Sequence, residues 1–89
     1  MRVLGREYKT PIEKMTLTFN WTRELGSSAT VSTITYNLHG LTNDNSSTTS
    51  PYTSVRVAGG TAGTIYAVEA TMTASDGEIS EACIEVAVE

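Results

Sequence analysis

The sequence predicts an all-β protein, folded as an antiparallel β-sandwich of about six to seven strands. Three observations lead to this prediction. Apolar residues alternate with polar ones in several short segments, which is the pattern of strands with one buried face. Clusters rich in Gly and Ser separate these segments, as turns between strands do. No segment shows the period of an amphipathic helix.

The bulk composition indicates one small globular domain. The chain has 89 residues, of which 39% are hydrophobic and 18% charged, so its core is modest. The single cysteine excludes an internal disulfide bond. The first residues contain no long apolar stretch, so we expect no signal peptide and synthesis in the cytoplasm. No run approaches the ~20 apolar residues that cross a bilayer, so we expect no membrane contact.

The amino-terminal part is expected to form an arm followed by a buried strand. Residues 1–13 show no clear periodicity and include Pro11, which predicts an arm or a short edge strand, while residues 14–89 would form the sandwich domain. In residues 15–22, Met, Leu, Phe and Trp alternate with Thr and Asn, which predicts a strand with one buried face. Trp21 lies on that face, so we expect it in the core, with an interface role as the alternative.

The middle of the chain alternates between strands and polar turns. A turn at residues 25–28 leads to a second strand at about residues 29–38. His39, beside a glycine, ends this strand, and a short third strand is expected to begin at Leu41. Residues 43–51 are polar and rich in turn formers, so we expect a loop there.

Three further strands are expected in the second half of the chain. They cover about residues 52–58, 64–74 and 79–88, each with alternating apolar residues. The segment GGTAG at residues 59–63 is expected to be a tight connection, because glycine takes a positive φ without steric cost.

The last two strands also predict their own connection. Their apolar residues all have even numbers, and directly paired residues must lie on the same face. A two-residue loop would pair even with odd, whereas a three-residue loop at residues 75–77 pairs even with even. This is a type I turn followed by a bulge, with Gly77 left-handed and Val68 opposite Ile84.

We expect one core between the two sheets of the sandwich. Its members would be Leu17, Phe19, Trp21, Tyr66, Val68, Met72, Ile84 and Val86. Six or so short strands with frequent turn signals are typical of an immunoglobulin-like sandwich.

The residues that could carry chemistry favour no enzyme, cofactor or metal site. His39 lies in a turn without an orienting carboxylate or nucleophile near it in sequence. Asp44 and Asp76 belong to different turns, so no calcium cluster forms. The Gly-rich segment at residues 59–63 joins two strands and no Lys-Ser/Thr follows it, which excludes a phosphate-binding loop. Cys83 has no base near it in sequence and is expected to be an inert thiol.

The net charge of −4 is unevenly distributed. Residues 1–24 carry five basic and three acidic side chains, whereas residues 57–89 carry six acidic and no basic ones. An acidic chain without a basic stripe is a poor nucleic-acid binder. The glutamates of the last strand form either a solvated face or an acidic face for a partner. The basic arm is expected to lie along the acidic strand of its own chain or to reach that of the next subunit. The second, head-to-tail contact would use Arg2, Arg6, Lys9, Lys14, Glu81, Glu85 and Glu89.

Several sequence segments resemble one protein family. The run GGTAGTIYAV at residues 59–68 precedes a Thr-rich strand, Asp76-Gly77 and a final strand. The amino-terminal part adds KTPIE at residues 9–13 and FNWTRELG at residues 19–26. Together these segments resemble the small phage fibre-tail adaptor proteins over nearly the whole chain.

The resemblance implies a non-enzymatic structural component of a phage or prophage virion with an immunoglobulin-like fold. It would lie in the tail or near its fibres and act through contacts with other virion tail proteins. Self-association into a ring or stack is a further expectation, and no nucleic acid, membrane or small-molecule substrate is expected as a partner. The alternative is a free-standing immunoglobulin-like binding module of a bacterial surface protein, which the missing signal peptide and the starting Met1 disfavour.

Overall fold

Two β-sheets packed face to face form the protein in the computed structural model, which describes all of residues 1–89. Seven strands and one helical turn follow each other along the chain. They are β1 (Arg2–Lys9), β2 (Met15–Asn20), α1 (Thr22–Leu25), β3 (Val31–Asn37), β4 (Thr42–Thr49), β5 (Tyr52–Ala58), β6 (Ile65–Ala74) and β7 (Ile79–Val88). The predicted all-β sandwich is confirmed.

The two sheets have the strand orders β1-β7-β6-β3 and β2-β5-β4. All pairings are antiparallel except that of β1 with β7, which is parallel. The sheet memberships of β2 to β7 are those of the second to seventh strands in an immunoglobulin constant-type domain, whereas β1 joins the sheet of β7. The immunoglobulin-like assignment itself remains a prediction, which this strand order favours.

The core lies between the two sheets because alternate residues of each strand point inward. Seven of the eight expected core residues are buried: Leu17, Phe19, Trp21, Val68, Met72, Ile84 and Val86. The eighth, Tyr66, is half-buried and packs against this core from its margin. The rings of Phe19 and Trp21 stack with centroids 6.0 Å apart, which places Trp21 in the core.

The predicted connection between β6 and β7 is confirmed. The amide of Ala74 donates to the carbonyl oxygen of Glu78 at 2.8 Å, and the amide of Gly77 donates to that of Ala74 at 3.0 Å. Gly77 has a φ of +93°, and Val68 lies opposite Ile84. The parity of the apolar residues, together with the turn residues Asp76 and Gly77, was therefore sufficient to determine the register.

Two local predictions are wrong. Residues 43–51 were expected to form a loop, but most of them belong to β4, which pairs along β5 with a bulge between Asn43 and Asn45. All eight residues of β4 are exposed, so this strand has no apolar alternation to reveal it. The first core strand ends at Asn20 rather than continuing to residue 22, and the turn α1 follows and buries Leu25.

Candidate interaction surfaces

The surface offers shallow clefts and sheet edges. No group of three or more His, Cys, Asp or Glu residues is placed to hold a metal ion. The fold has no helix of the length and apolarity required to cross a membrane. One cleft of about 180 Å³ lies on the outer face of the three-stranded sheet. Its lining is entirely polar and consists of Thr16, Asn45, Ser46, Ser47, Ser54 and Arg56.

Three of the predicted basic interface residues bind carboxylates of the same chain. Arg2 forms an ion pair with Glu24. Arg6 donates from Nε and Nη2 to one oxygen of Glu85 at 3.1 and 2.9 Å, because the parallel pairing of β1 with β7 places these residues side by side. These hydrogen bonds raise the pKa of Arg6. Of these pairs, that of Arg6 with Glu85 joins the amino-terminal segment to the acidic strand of the same chain.

Lys14 shares the carboxylate of Asp44 with a second cation. Its Nζ lies 3.2 Å from one oxygen of Asp44, and Nε of Arg56 lies 2.7 Å from the other. The hydrogen bonds from Lys14 and Arg56 lower the pKa of Asp44. Asp44 lies at the bulge in β4 and links that strand to Arg56 of β5 and to Lys14, which precedes β2.

Lys9 is buried rather than displayed, with only 1% of its surface exposed. Its ammonium group donates to the carbonyl oxygen of Thr10 at 2.7 Å and to that of Gly59, and no carboxylate contacts it. The carbonyl of Lys9 accepts from the amide of Glu89 at 2.8 Å. Lys9 therefore fixes the end of β1 to the turn after β5 and to the end of β7.

The acidic strand keeps two of its three glutamates free of ion pairs. Glu81 and Glu89 are exposed, whereas Glu85 binds Arg6. Cys83 lies between Glu81 and Glu85 in the same strand, but it is only 5% exposed. This burial raises the pKa of the Cys83 thiol, which fits the expected inert thiol.

The turn at His39 has a strained backbone and one ionic contact. His39 has a φ of +53° and is the one residue other than glycine with a positive φ. Its Nε2 lies 3.0 Å from a carboxylate oxygen of Glu69. The two side chains form an ion pair only when the imidazole is protonated. The predicted turn is therefore present, and the imidazole faces a carboxylate of the neighbouring strand rather than a nucleophile.

The residue that sequence reasoning missed is Arg23. It lies in α1 and, unlike the other five basic side chains, it has neither a carboxylate nor a carbonyl partner. It lines a cleft of about 360 Å³ between the start of β1 and the end of β2. The other lining residues are Arg2, Leu4, Asn20, Thr22 and Glu24. Residues 22–25 are too short a segment to show a helical period, so nothing in the sequence placed Arg23 at this position.

The comparison with protein families agrees with the resemblance found in the sequence. The family model described as podophage GP4 fiber-tail adaptor protein gp77 matches residues 9–87. No curated protein matches the chain. Because the family match covers most of the chain, the protein is a structural component of a phage tail and belongs to the podophage GP4 fiber-tail adaptor family.

Proposed function

We propose that this protein acts in the virion as a non-enzymatic adaptor that joins other tail proteins through the faces and edges of its two sheets. The observation that carries this proposal is the family match over residues 9–87. The same match favours the tail over a binding module of a bacterial surface protein. The free edges of both sheets supply surfaces for such contacts.

Deletion of the gene tests the adaptor role. Particles produced without this protein should contain the remaining tail proteins but lack the fibres, as measured by mass spectrometry of purified particles and by electron microscopy. Wild-type protein supplied in trans is the control and should restore the fibres. Fully fibred, infectious particles from the deletion strain would contradict the proposal.

A further proposal concerns contacts between copies in a ring or stack through six of the seven charged residues named above, since Lys9 is buried. Glu81 and Glu89 support it, because both are exposed and without an ion pair. The ion pairs of Arg2, Arg6 and Lys14 within one chain would have to exchange partners for the basic arm to reach the next copy. Sedimentation of the purified protein at low and high salt tests this, since salt screens exposed charges beyond about 10 Å. A salt-independent monomer at all concentrations would count against it.

A further inference from the structure

The sandwich has four edge strands, and they differ in how well they are protected against pairing with another chain. The edges are β1 and β3 in one sheet and β2 and β4 in the other. An edge strand presents unpaired amides and carbonyls, and proteins blunt such edges with bulges, charged residues or proline. A regular, uncharged edge is therefore the one at which a further strand can add to the sheet.

Three of the four edges carry such protection. In β1 a bulge lies between Val3 and Gly5, and the strand also contains four charged residues. In β3 a register shift lies between Val31 and Thr33. In β4 a bulge contains the charged residue Asp44.

The fourth edge, β2, carries none of these devices. Its six residues pair with β5 in unbroken register, from Met15 opposite Val57 to Asn20 opposite Tyr52. The strand reads MTLTFN and contains no charged residue, proline or glycine. Its inward side chains Leu17 and Phe19 are already buried in the core. A partner strand at this edge would therefore pair with backbone groups and would not need to fill the core.

The direction of the free backbone groups follows from one hydrogen bond. The amide of Trp21 donates to the carbonyl oxygen of Pro51 at 2.9 Å, on the β5 side of the strand. Amides of an antiparallel edge strand point alternately toward the partner and away from it. The amides of Thr16, Thr18 and Asn20 therefore point to the open side, where no other strand of the chain pairs.

A cationic cleft lies at one end of this open edge. Asn20, the last residue of β2, lines the cleft of about 360 Å³ described above, together with Arg23. Glu24 is the one carboxylate in the cleft, and it is already bound to Arg2. The guanidinium of Arg23 is thus free to bind a carboxylate that arrives with a strand along β2.

We propose that β2 receives an extended strand from another protein of the tail, and that an acidic residue near the end of that strand binds Arg23. This inference rests on the proposed adaptor function. A second copy fits the edge less well, because three of its four edge strands carry register shifts.

A proline at Thr18 tests the edge. Thr18→Pro removes an amide that points to the open side and leaves the hydrogen bonds to β5 in place. The matched control is Thr18→Val, which keeps the amide and, like the proline variant, removes the hydroxyl that lies 3.2 Å from Ser54 Oγ. Each variant is supplied in trans to a deletion strain. We expect Thr18→Pro to enter tails at least about tenfold less than Thr18→Val, a difference of ~1.4 kcal/mol.

Charge reversal at Arg23 tests the cleft separately. Arg23→Glu should reduce incorporation into tails, whereas Arg23→Lys should retain most of it because it keeps the positive charge. Circular dichroism and thermal unfolding of the purified variants check that the fold is intact. Equal incorporation of Arg23→Glu and wild type would overturn the assigned role of Arg23.

Hydrogen exchange of the wild-type protein decides the question if Thr18→Pro does not fold. The amides of Thr16 and Thr18 should exchange rapidly in the isolated protein and at least about tenfold more slowly in purified tails. The amide of Phe19, which points to β5, should be slow in both. If the protein is present in tails and both edge amides remain rapid there, the strand-addition proposal is wrong. If wild-type protein is absent from tails, the adaptor function itself fails.

Discussion

The indole Nε1 of Trp21 donates a hydrogen bond of 2.9 Å to Oγ1 of Thr53, and both side chains are almost completely buried. Thr53 lies opposite Phe19 in the neighbouring strand, so the bond joins the end of β2 to β5 inside the core. Thr53→Val keeps the shape of the side chain but leaves the indole without an acceptor, which costs ~1–3 kcal/mol. Urea unfolding measures the effect, and Thr53→Ser, which keeps the hydroxyl, is the control. Equal losses in both variants would show that packing, not the hydrogen bond, is responsible.

Truncation of Phe19 should be among the most damaging changes to stability. Its side chain is completely buried and stacks on Trp21, so Phe19→Ala should cost ~3–5 kcal/mol of unfolding free energy. Thr18→Ala, on the exposed face of the same strand, should change stability by no more than about 0.5 kcal/mol. The midpoints of denaturant unfolding give both values. A Phe19→Ala midpoint close to that of wild type would contradict the role of this face.

A side chain at Gly77 should destabilise the hairpin through the backbone alone. A Cβ added there meets no atom within 4 Å, but the φ of +93° is unfavourable for any residue with a side chain. We therefore expect Gly77→Val to cost ~1–3 kcal/mol. Gly5→Val is the matched control, because a Cβ at Gly5 also meets no atom within 4 Å and its φ lies outside the positive range. Thermal unfolding distinguishes the two variants, and equal stability would contradict the strain argument.

Asp44 should contribute to the loss of stability in acid. Hydrogen bonds from Lys14 and Arg56 lower its pKa in the folded state below the ordinary value of 3.8. A carboxyl whose pKa is depressed by folding stabilises the protein above its unfolded pKa, and this contribution is lost as the pH falls through the folded pKa. Stability measured by urea unfolding should therefore fall more steeply below pH 3.8 in wild type than in Asp44→Asn. Parallel pH profiles would show that the ionisation of Asp44 contributes nothing to folding stability.

The predictable part of the fold is the part that carries apolar alternation. The faces of β2, β6 and β7, and the register across Gly77, follow from the parity of their apolar residues. In contrast, β4 is held by backbone pairing to β5 without a buried side chain, so no periodicity marks it.

The candidate sites were less predictable, because they depend on which strands become neighbours. The charge split indicated that basic and acidic segments attract, but the sequence could not show that Arg6 reaches Glu85 of its own chain. Lys9 was expected in an amino-terminal arm, where its side chain would be exposed. In the structure its ammonium group binds backbone carbonyl oxygens in the interior. The sequence did not show where the first core strand ends, so it did not place Arg23 in α1. The structure then shows that Arg23 is the basic side chain without a carboxylate or carbonyl partner.

The parallel pairing of β1 with β7 separates the two termini of the chain. Arg2 lies beside Ala82, and Lys9 lies beside Val88, so Met1 and Glu89 lie at opposite ends of the strands. The eight residues from Arg2 to Lys9 span roughly 23 Å at the rise of an extended strand. A small fusion domain at Met1 and one at Glu89 would therefore project from opposite ends of the sandwich. Micrographs of tails carrying one fusion or the other would show which end of the adaptor faces the fibre and which faces the body of the tail.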